Sequence, residues 1–368
     1  MKIAFVDLKR QYKRYKKEID RAIKNVIRDS AFVGGHYLEC FEKNFADYIG
    51  RKFCVGVGNG TDAIFLTLLS LGIGKGDEVI VPSHTFVATV EAVSATGAEP
   101  VFVDIYEDHY TMSVEKIKTQ ITDRTKAIIP VHLYGQPCDM DQICIIAKEN
   151  NIHIIEDCAQ AHGALYKGRK TGTFGVAGCF SFFPGKNLGA YGDAGCVVCD
   201  DEALFKKIKA IKDHGRSDKY TSLYIGYNSR LDGLQAAILD VKLKYIDRWN
   251  DKRRKIAQWY SKLLQNTDVI LPVEFKDVKH IYHLYVIRIK KNREKFMSFL
   301  KEAGISCGIH YPIPCHMFQP YKNKRGADSL PVTEKITKEI ASLPIFPELT
   351  QKEVIYITNK IKEYLKRN

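Results

Sequence analysis

The chain has 368 residues, 45% hydrophobic and 27% charged, a balance that excludes disordered and collagen-like chains. At roughly 100–200 residues per domain the length predicts two domains, or one large α/β unit with an appendage. No run approaches the roughly 18–20 apolar residues of a membrane span, and Asp7, Lys9 and Arg10 interrupt the start before a signal-peptide core develops, so a cytoplasmic protein is expected.

Lys plus Arg number 56 against 43 Asp plus Glu, a formal charge of +13. The densest basic run, Lys9 to Lys17, falls where Tyr12, Tyr15, Ile19, Ala22, Ile23 and Val26 recur at helical spacing. That pattern predicts an amphipathic helix with a solvated basic face. No zinc-finger spacing or aromatic RNA-binding strand accompanies it, so no nucleic-acid partner is expected. From 53 to 200, short apolar runs alternate with amphipathic segments. Strands are predicted at Phe53–Val57, Glu78–Pro82, Pro100–Val103, Ala127–Val131, His153–Asp157, Gly178–Phe182 and Gly195–Cys199, with helices at Ala63–Leu71, Thr85–Thr96 and Asp139–Glu149. Near-continuous apolar strands between helices argue a largely parallel sheet covered on both faces. Beyond about 240 the character changes to a long charged helix, Lys242–Leu264, a half-buried strand, His283–Ile289, a helix, Arg293–Ala303, a Pro-rich loop, His310–Pro314, and a helix from Gln351. This reads as a large α/β domain over 1–240 and a smaller α+β domain over 241–368.

The ten cysteines are scattered, and only Cys196 and Cys199 are spaced like a chelating pair. On a strand, residues three apart face opposite sides, so these thiols should diverge. No metal site is expected, only reduced core cysteines.

Three segments carry candidate chemistry. Gly56-Val57-Gly58-Asn59-Gly60-Thr61-Asp62 joins a strand to a helix. Its GxGxG spacing departs from the dinucleotide GxGxxG, but free N–H groups at a helix start bind anions. The alternative is a plain turn with Thr61 as the cap. Glu156-Asp157-Cys158-Ala159-Gln160 lies at the carboxyl end of a strand, where open parallel sheets hold ligands. An acid there can serve as base, metal ligand or partner of a cationic ring. In Ser181-Phe182-Phe183-Pro184-Gly185-Lys186, a lysine follows an apolar strand inside a glycine-framed loop that runs on to Gly192. A lone lysine is usually a surface lysine. A desolvated one becomes a nucleophilic amine suited to Schiff-base chemistry.

Together with Asp7-Leu8-Lys9-Arg10-Gln11-Tyr12, Gly226-Tyr227-Asn228-Ser229-Arg230-Leu231 and Gly308-Ile309-His310-Tyr311-Pro312-Ile313-Pro314, these segments resemble the sugar-nucleotide aminotransferases of the DegT/StrS group across almost the whole chain. The resemblance implies a fold-type-I transferase that uses pyridoxal 5'-phosphate (PLP). By it, Lys186 would hold the coenzyme covalently and carry the proton during transamination, and Asp157 would pair with the ring nitrogen. Gln160 would meet the ring hydroxyl, Phe86 would stack on the ring, and Gly60, Thr61 and Ser181 would hold the phosphate. Asn228 matches an asparagine that reaches the phosphate from a neighbouring subunit, implying a homodimer with shared sites. The bland alternative for Asn228 is a turn residue. Arg230, His310 and Tyr311 are candidates for contacting sugar or diphosphate, the last two with a structural Pro-rich loop as the alternative. Relatives with histidine in place of the lysine dehydrate their sugar, so Lys186 argues for transamination.

The expected donor is glutamate. The expected acceptor is a nucleotide-linked ketosugar, foremost a dTDP-3-keto-6-deoxyhexose giving the 3-amino-3,6-dideoxy sugar. A UDP-linked 3-keto N-acetyl sugar acid and a carbon-4 ketosugar are the alternatives. A PLP-dependent dehydratase, a non-catalytic regulator and a Rossmann dehydrogenase using Gly56–Thr61 are the competing readings.

Overall fold

The computed structural model describes residues 1–367. All seven strands expected between 53 and 200 form and join one sheet. They are β1 (Phe53–Val57), β2 (Glu78–Pro82), β3 (Glu99–Val103), β4 (Thr125–Ile128), β5 (His153–Asp157), β8 (Ala177–Ser181) and β9 (Gly195–Cys199), with the two-residue strands β6 (Leu165–Tyr166) and β7 (Arg169–Lys170) set aside in a small sheet. The order is β1-β9-β8-β5-β4-β2-β3. Pairing is parallel from β8 to β3, and β9 alone runs antiparallel to its neighbours β1 and β8. The large, mostly parallel sheet is as expected.

Side chains along each strand alternate between two cores. Val55, Val79, Val81, Phe102, Ala127, Cys179 and Val197 enter one, under α3 (Gly60–Ser70), α4 (Val87–Ala95) and α7 (Glu202–Ile211). On the opposite face, Phe180, Phe182 and Val198 pack beneath α1 (Leu8–Arg28), α2 (His36–Ile49) and α8 (Gly233–Leu243). Farther along that face, Ile80, Val101 and Ile128 meet α5 (Val114–Gln120) and α6 (Met140–Glu149). Burial on both faces is why these strands read as unbroken apolar runs. Cys196 and Cys199 do diverge, into different cores, and all ten cysteines are free.

A separate core gathers α9 (Ile246–Leu264), β11 (Tyr285–Arg288), α10 (Arg293–Glu302), β12 (Ile340–Leu343) and α12 (Gln351–Arg367). Strands β11 and β12 pair antiparallel, β10 (Val278–Lys279) joins the small sheet, and α11 (Pro331–Glu339) precedes β12. Ile3 bridges to Ile305 and belongs to this core. The N-terminal segment thus runs from this separate core to α1, passing the mouth of the cavity described below.

One expected element is corrected. The helix expected over Lys242–Leu264 is two, α8 and α9, broken at Lys244 and Tyr245. The Tyr245 ring lies 4.3 Å from that of Tyr15, and its hydroxyl donates to Glu18 at 2.5 Å. The bend at α1 sets the break; no glycine or proline marks it.

Candidate active site

A cavity of about 880 Å³ opens at the carboxyl ends of β5 and β8 and the start of α3. Gly60, Thr61, Phe86, Asp157, Gln160, Ser181, Lys186, His310 and Tyr311 all line it. Asn228 and Arg230 do not. They sit on the 214–230 loop, where Asn228 is exposed and Arg230 Nη1 meets Asp213 at 3.3 Å.

Asn59, not Thr61, caps α3, accepting from the Asp62 N–H at 2.8 Å. This leaves the N–H groups of Gly60 and Thr61 at the helix start without intrahelical partners. A Cβ on Gly60 would lie 2.6 Å from Ser181 Cβ, so glycine is required for the helix end and the end of β8 to meet. The two together form an anion cradle.

Asp157 is buried at the end of β5. Its Oδ2 accepts from Thr89 Oγ1 at 2.8 Å and its Oδ1 from the Ala159 N–H at 3.1 Å. The Thr89 hydrogen is committed to the carboxylate, so Thr89 in turn accepts from Thr85 Oγ1, 2.9 Å away. Sequence reasoning passed over Thr89, a buried threonine one turn into a helix with no motif to mark it. Gln160 is fixed at both ends of its amide. Its Oε1 accepts from the Tyr134 N–H at 2.7 Å, and its Nε2 donates to the Tyr311 hydroxyl at 3.0 Å, leaving one amide hydrogen free. The Tyr311 ring lies 5.4 Å from that of Phe86, which is 51% exposed and forms a wall.

Lys186 is half-buried, its amine enclosed by protein. Burial lowers the amine from 10.5 to about 8, against the pull of the Asp157 charge. Its own N–H donates to the Phe183 carbonyl at 2.8 Å. Farther round the loop, the buried Lys242 amine donates to the Gly189 carbonyl, pinning the loop from below. His310 stacks on Phe5 at 5.4 Å and bonds Ser342 Oγ through Nδ1 at 2.9 Å. Burial and the nearby lysine push it down to about 4. Phe5 and His283, both unmarked by any motif, complete the wall.

His132, Glu156 and Cys158 also converge, within 4.8 Å of one another. Glu156 there accepts from His132 Nε2 and from the N–H groups of Gly172, Phe174 and Gly175 at 2.7–3.0 Å. This saturated carboxylate anchors the 172–175 turn.

The sequence profile of the DegT/DnrJ/EryC1/StrS aminotransferase family matches residues 13–362. The chain belongs to that family. It is a PLP-dependent aminotransferase of fold type I. It is 45% identical to the dTDP-3-amino-3,6-dideoxy-alpha-D-galactopyranose transaminase of Aneurinibacillus thermoaerophilus, over 98% of this chain and 99% of that one. It is 42% identical to the UDP-N-acetyl-3-dehydro-alpha-D-glucosamine 3-aminotransferase of Acidithiobacillus ferrooxidans, over 99% and 98%. The crystal structure of DesV from S. venezuelae in complex with a ketimine intermediate superposes with a TM-score of 0.97 at 41% identity, covering 100% of this chain and 99% of that one. The dehydrogenase reading of Gly56–Thr61 falls with this assignment. Among the described residues, no helix is long and apolar enough to cross a membrane.

Proposed function

We propose that this DegT/StrS aminotransferase moves an amino group from glutamate to a dTDP-linked 3-keto-6-deoxyhexose, giving a dTDP-3-amino-3,6-dideoxyhexose. One observation carries the catalytic part: an enclosed lysine amine stands in the same cavity as a buried carboxylate and a glycine-tight helix start. That donor set fits PLP. The N–H groups of Gly60 and Thr61 and the Ser181 hydroxyl suit its phosphate, Asp157 its cationic ring nitrogen, Gln160 its ring hydroxyl, and Phe86 one ring face. Bound PLP supplies an aldehyde that bonds amines and a ring that stores the electrons left when a proton departs.

The protein supplies the remainder. Asp157, steadied by Thr89 and Ala159 N–H, keeps a negative charge where a ring cation belongs. An amine lowered to about 8 is unprotonated often enough near neutrality to act as nucleophile. Once free, the same amine takes the proton from the donor's α-carbon and holds it for return, as general base and then acid. The aromatic side chains of Phe5, Phe86 and Tyr311 line the space in which that transfer takes place.

The sugar assignment draws on the Aneurinibacillus relative and on charge. The cavity lining holds the carboxylates Asp62, Glu91, Asp157 and Asp193 and, among the described residues, no arginine. A neutral 6-deoxy carbon suits that wall better than the carboxylate of a sugar acid. The Acidithiobacillus relative keeps UDP-linked 3-ketosugars as the second reading. The division into a coenzyme-binding unit over 1–240 and a smaller unit over 241–368, and a homodimer in which Asn228 serves the neighbouring cavity, belong to the same proposal. The separate core around α9 and α12 supports the former, and the exposure of Asn228 outside its own cavity supports the latter. Offering dTDP- and UDP-linked 3- and 4-ketosugars with glutamate, and weighing the products by mass spectrometry, tests the reading. Turnover confined to 4-ketosugars overturns the carbon-3 assignment. Absence of 2-oxoglutarate with every sugar overturns transamination of nucleotide sugars altogether.

A further inference from the structure

Lys186 is followed by Asn187, a side chain only 3% exposed that none of the roles above employs. It belongs to a chain of hydrogen bonds whose direction is fixed from one end. The backbone carbonyl of His162 can only accept, and it accepts from Asn250 Nδ2 at 2.8 Å. Asn250 therefore turns its Oδ1 toward Asn187, which donates to it through Nδ2 at 2.8 Å. Asn187 is left with Oδ1 facing outward, 3.0 Å from Nδ1 of His283. An amide oxygen carries no hydrogen, so His283 must hold its proton on Nδ1 and leave Nε2 as a bare lone pair. His283 lines the same cavity as Lys186, near enough for the lysine's charge to act on it.

Two further features keep the ring in that state. Arg253 Nη1 grips the His283 carbonyl at 3.1 Å and the Ile345 carbonyl at 3.0 Å, fixing the backbone. Burial and the positive charges of Lys186 and Arg253, with His310 and His162 adjoining, hold His283 well below its usual value, so it stays neutral. The cavity thus contains a neutral, oriented acceptor among cations and donors.

We propose that His283 is a positioning residue for Lys186: its Nε2 is the acceptor that the Lys186 amine reaches by rotating about its own side chain once it is free of the coenzyme, the tautomer of His283 being dictated by the His162–Asn250–Asn187 relay. The inference rests on the reading of Lys186 as the coenzyme lysine. A free lysine side chain carries four rotatable bonds, and one acceptor restricts where its amine delivers the proton.

Two variants separate positioning from mere packing. His283→Asn keeps a donor for Asn187 and removes the Nε2 acceptor; His283→Gln places an acceptor near Nε2 and abandons Asn187. The first readout needs no turnover. The coenzyme-free protein is treated with cyanate across pH 6–10, and carbamylation of Lys186 is followed by peptide mass spectrometry. An acceptor favours the ammonium form, so His283→Asn should move the labelling midpoint down by about half a pH unit or more, with His283→Gln near wild type. In turnover, His283→Asn should lose roughly tenfold in kcat with KM little changed, and His283→Gln should recover part of it. The opposite order, with Asn like wild type and Gln defective, would show that the ring only completes the amide relay and overturns the proposal. Should His283→Asn fail to fold, His283→Ala, which also lacks the acceptor, decides: a lowered midpoint supports the proposal and an unmoved one overturns it. Borohydride reduction of the wild-type holoenzyme followed by peptide mapping separates the two readings. A pyridoxyl group on a lysine other than 186 defeats the functional assignment itself, whatever the His283 variants do.

Discussion

An amine enclosed by protein and held near about 8 should betray itself in the chemistry of loading. Only the unprotonated form has the lone pair that attacks an aldehyde, so its fraction grows as pH rises through the amine's value. The rate at which coenzyme-free protein takes up PLP should therefore climb and level off above pH 8, read as growth of the visible absorbance band. A midpoint near the ordinary 10.5 would mean that water reaches the amine freely. Thr89 offers a second test. Thr89→Val removes a hydrogen bond to a buried charged acceptor, worth about 1.5–3 kcal/mol, so amino transfer should fall roughly ten- to hundredfold with the circular dichroism spectrum unchanged, while Thr89→Ser retains most activity. A loss of less than about twofold would show that Ala159 N–H alone holds the carboxylate. Lys186 and Asp157 stand out in the sequence by a glycine-framed loop and a strand end, whereas Gln160 and Ser181 are marked only by the family resemblance; folding brings all four to one cavity. Thr89 lies 68 residues from Asp157, and His283 lies 96 from Asn187. No local pattern marks a contact that only folding creates, which is why these two were missed.

Elements announced themselves wherever burial imposed a period. The seven strands of the main sheet were visible as apolar runs, and α1 as a stripe of Tyr15, Ile19 and Val26 that is indeed buried. The break between α8 and α9 was invisible because the residues on both sides keep a helical pattern and the cause lies on α1. The same junction explains a lysine that sequence places on a charged helix surface. Lys242 is 1% exposed, its amine donating to the Gly189 carbonyl with the Tyr191 ring 5.0 Å away. Burial lowers it from 10.5 to about 7, partly offset by Glu348. Between those values the unfolded chain binds a proton that the folded chain does not, so this residue's penalty shrinks as pH rises from 7 toward 10. Lys242→Met removes that dependence. Relative to wild type, the variant's urea midpoint should be most favourable near pH 7 and lose ground steadily up to pH 10. A difference that stays flat with pH would show that Lys242 is charged in the fold. Because the lost bond holds the Lys186 loop, the same variant should also bind PLP more weakly, measurable by dialysis at either pH.

At the scale of the whole molecule, one loop stands apart by its exposed apolar side chains. Tyr220, Leu223 and Ile225 are 87%, 63% and 89% exposed, an apolar patch on a protein whose other large side chains are mostly covered. The loop ends at Asn228 and Arg230, outside the cavity. Its root is nonetheless tied to the anion cradle, since Ser229 Oγ accepts from the Gly58 N–H at 3.1 Å and donates to Asp62 at 2.6 Å. A two-fold dimer would cover the patch and carry Asn228 toward the partner's cradle. Light scattering should then give twice the 41.9 kDa of one chain. Mass alone does not show that sites are shared, but complementation does. Lys186→Ala lacks the amine, and Asn228→Asp sets a carboxylate against the phosphate, so each homodimer should be nearly inactive. When both chains are co-expressed, a mixed dimer joins the intact Lys186 of one chain to the intact Asn228 of the other at one of its two sites. Random pairing makes about half the dimers mixed, so activity should return to about a quarter of wild type. Sites confined to single chains admit no such recovery, because every chain then carries a lesion in its own site; activity no greater than the sum of the two variants would place Asn228 in its own chain's turn.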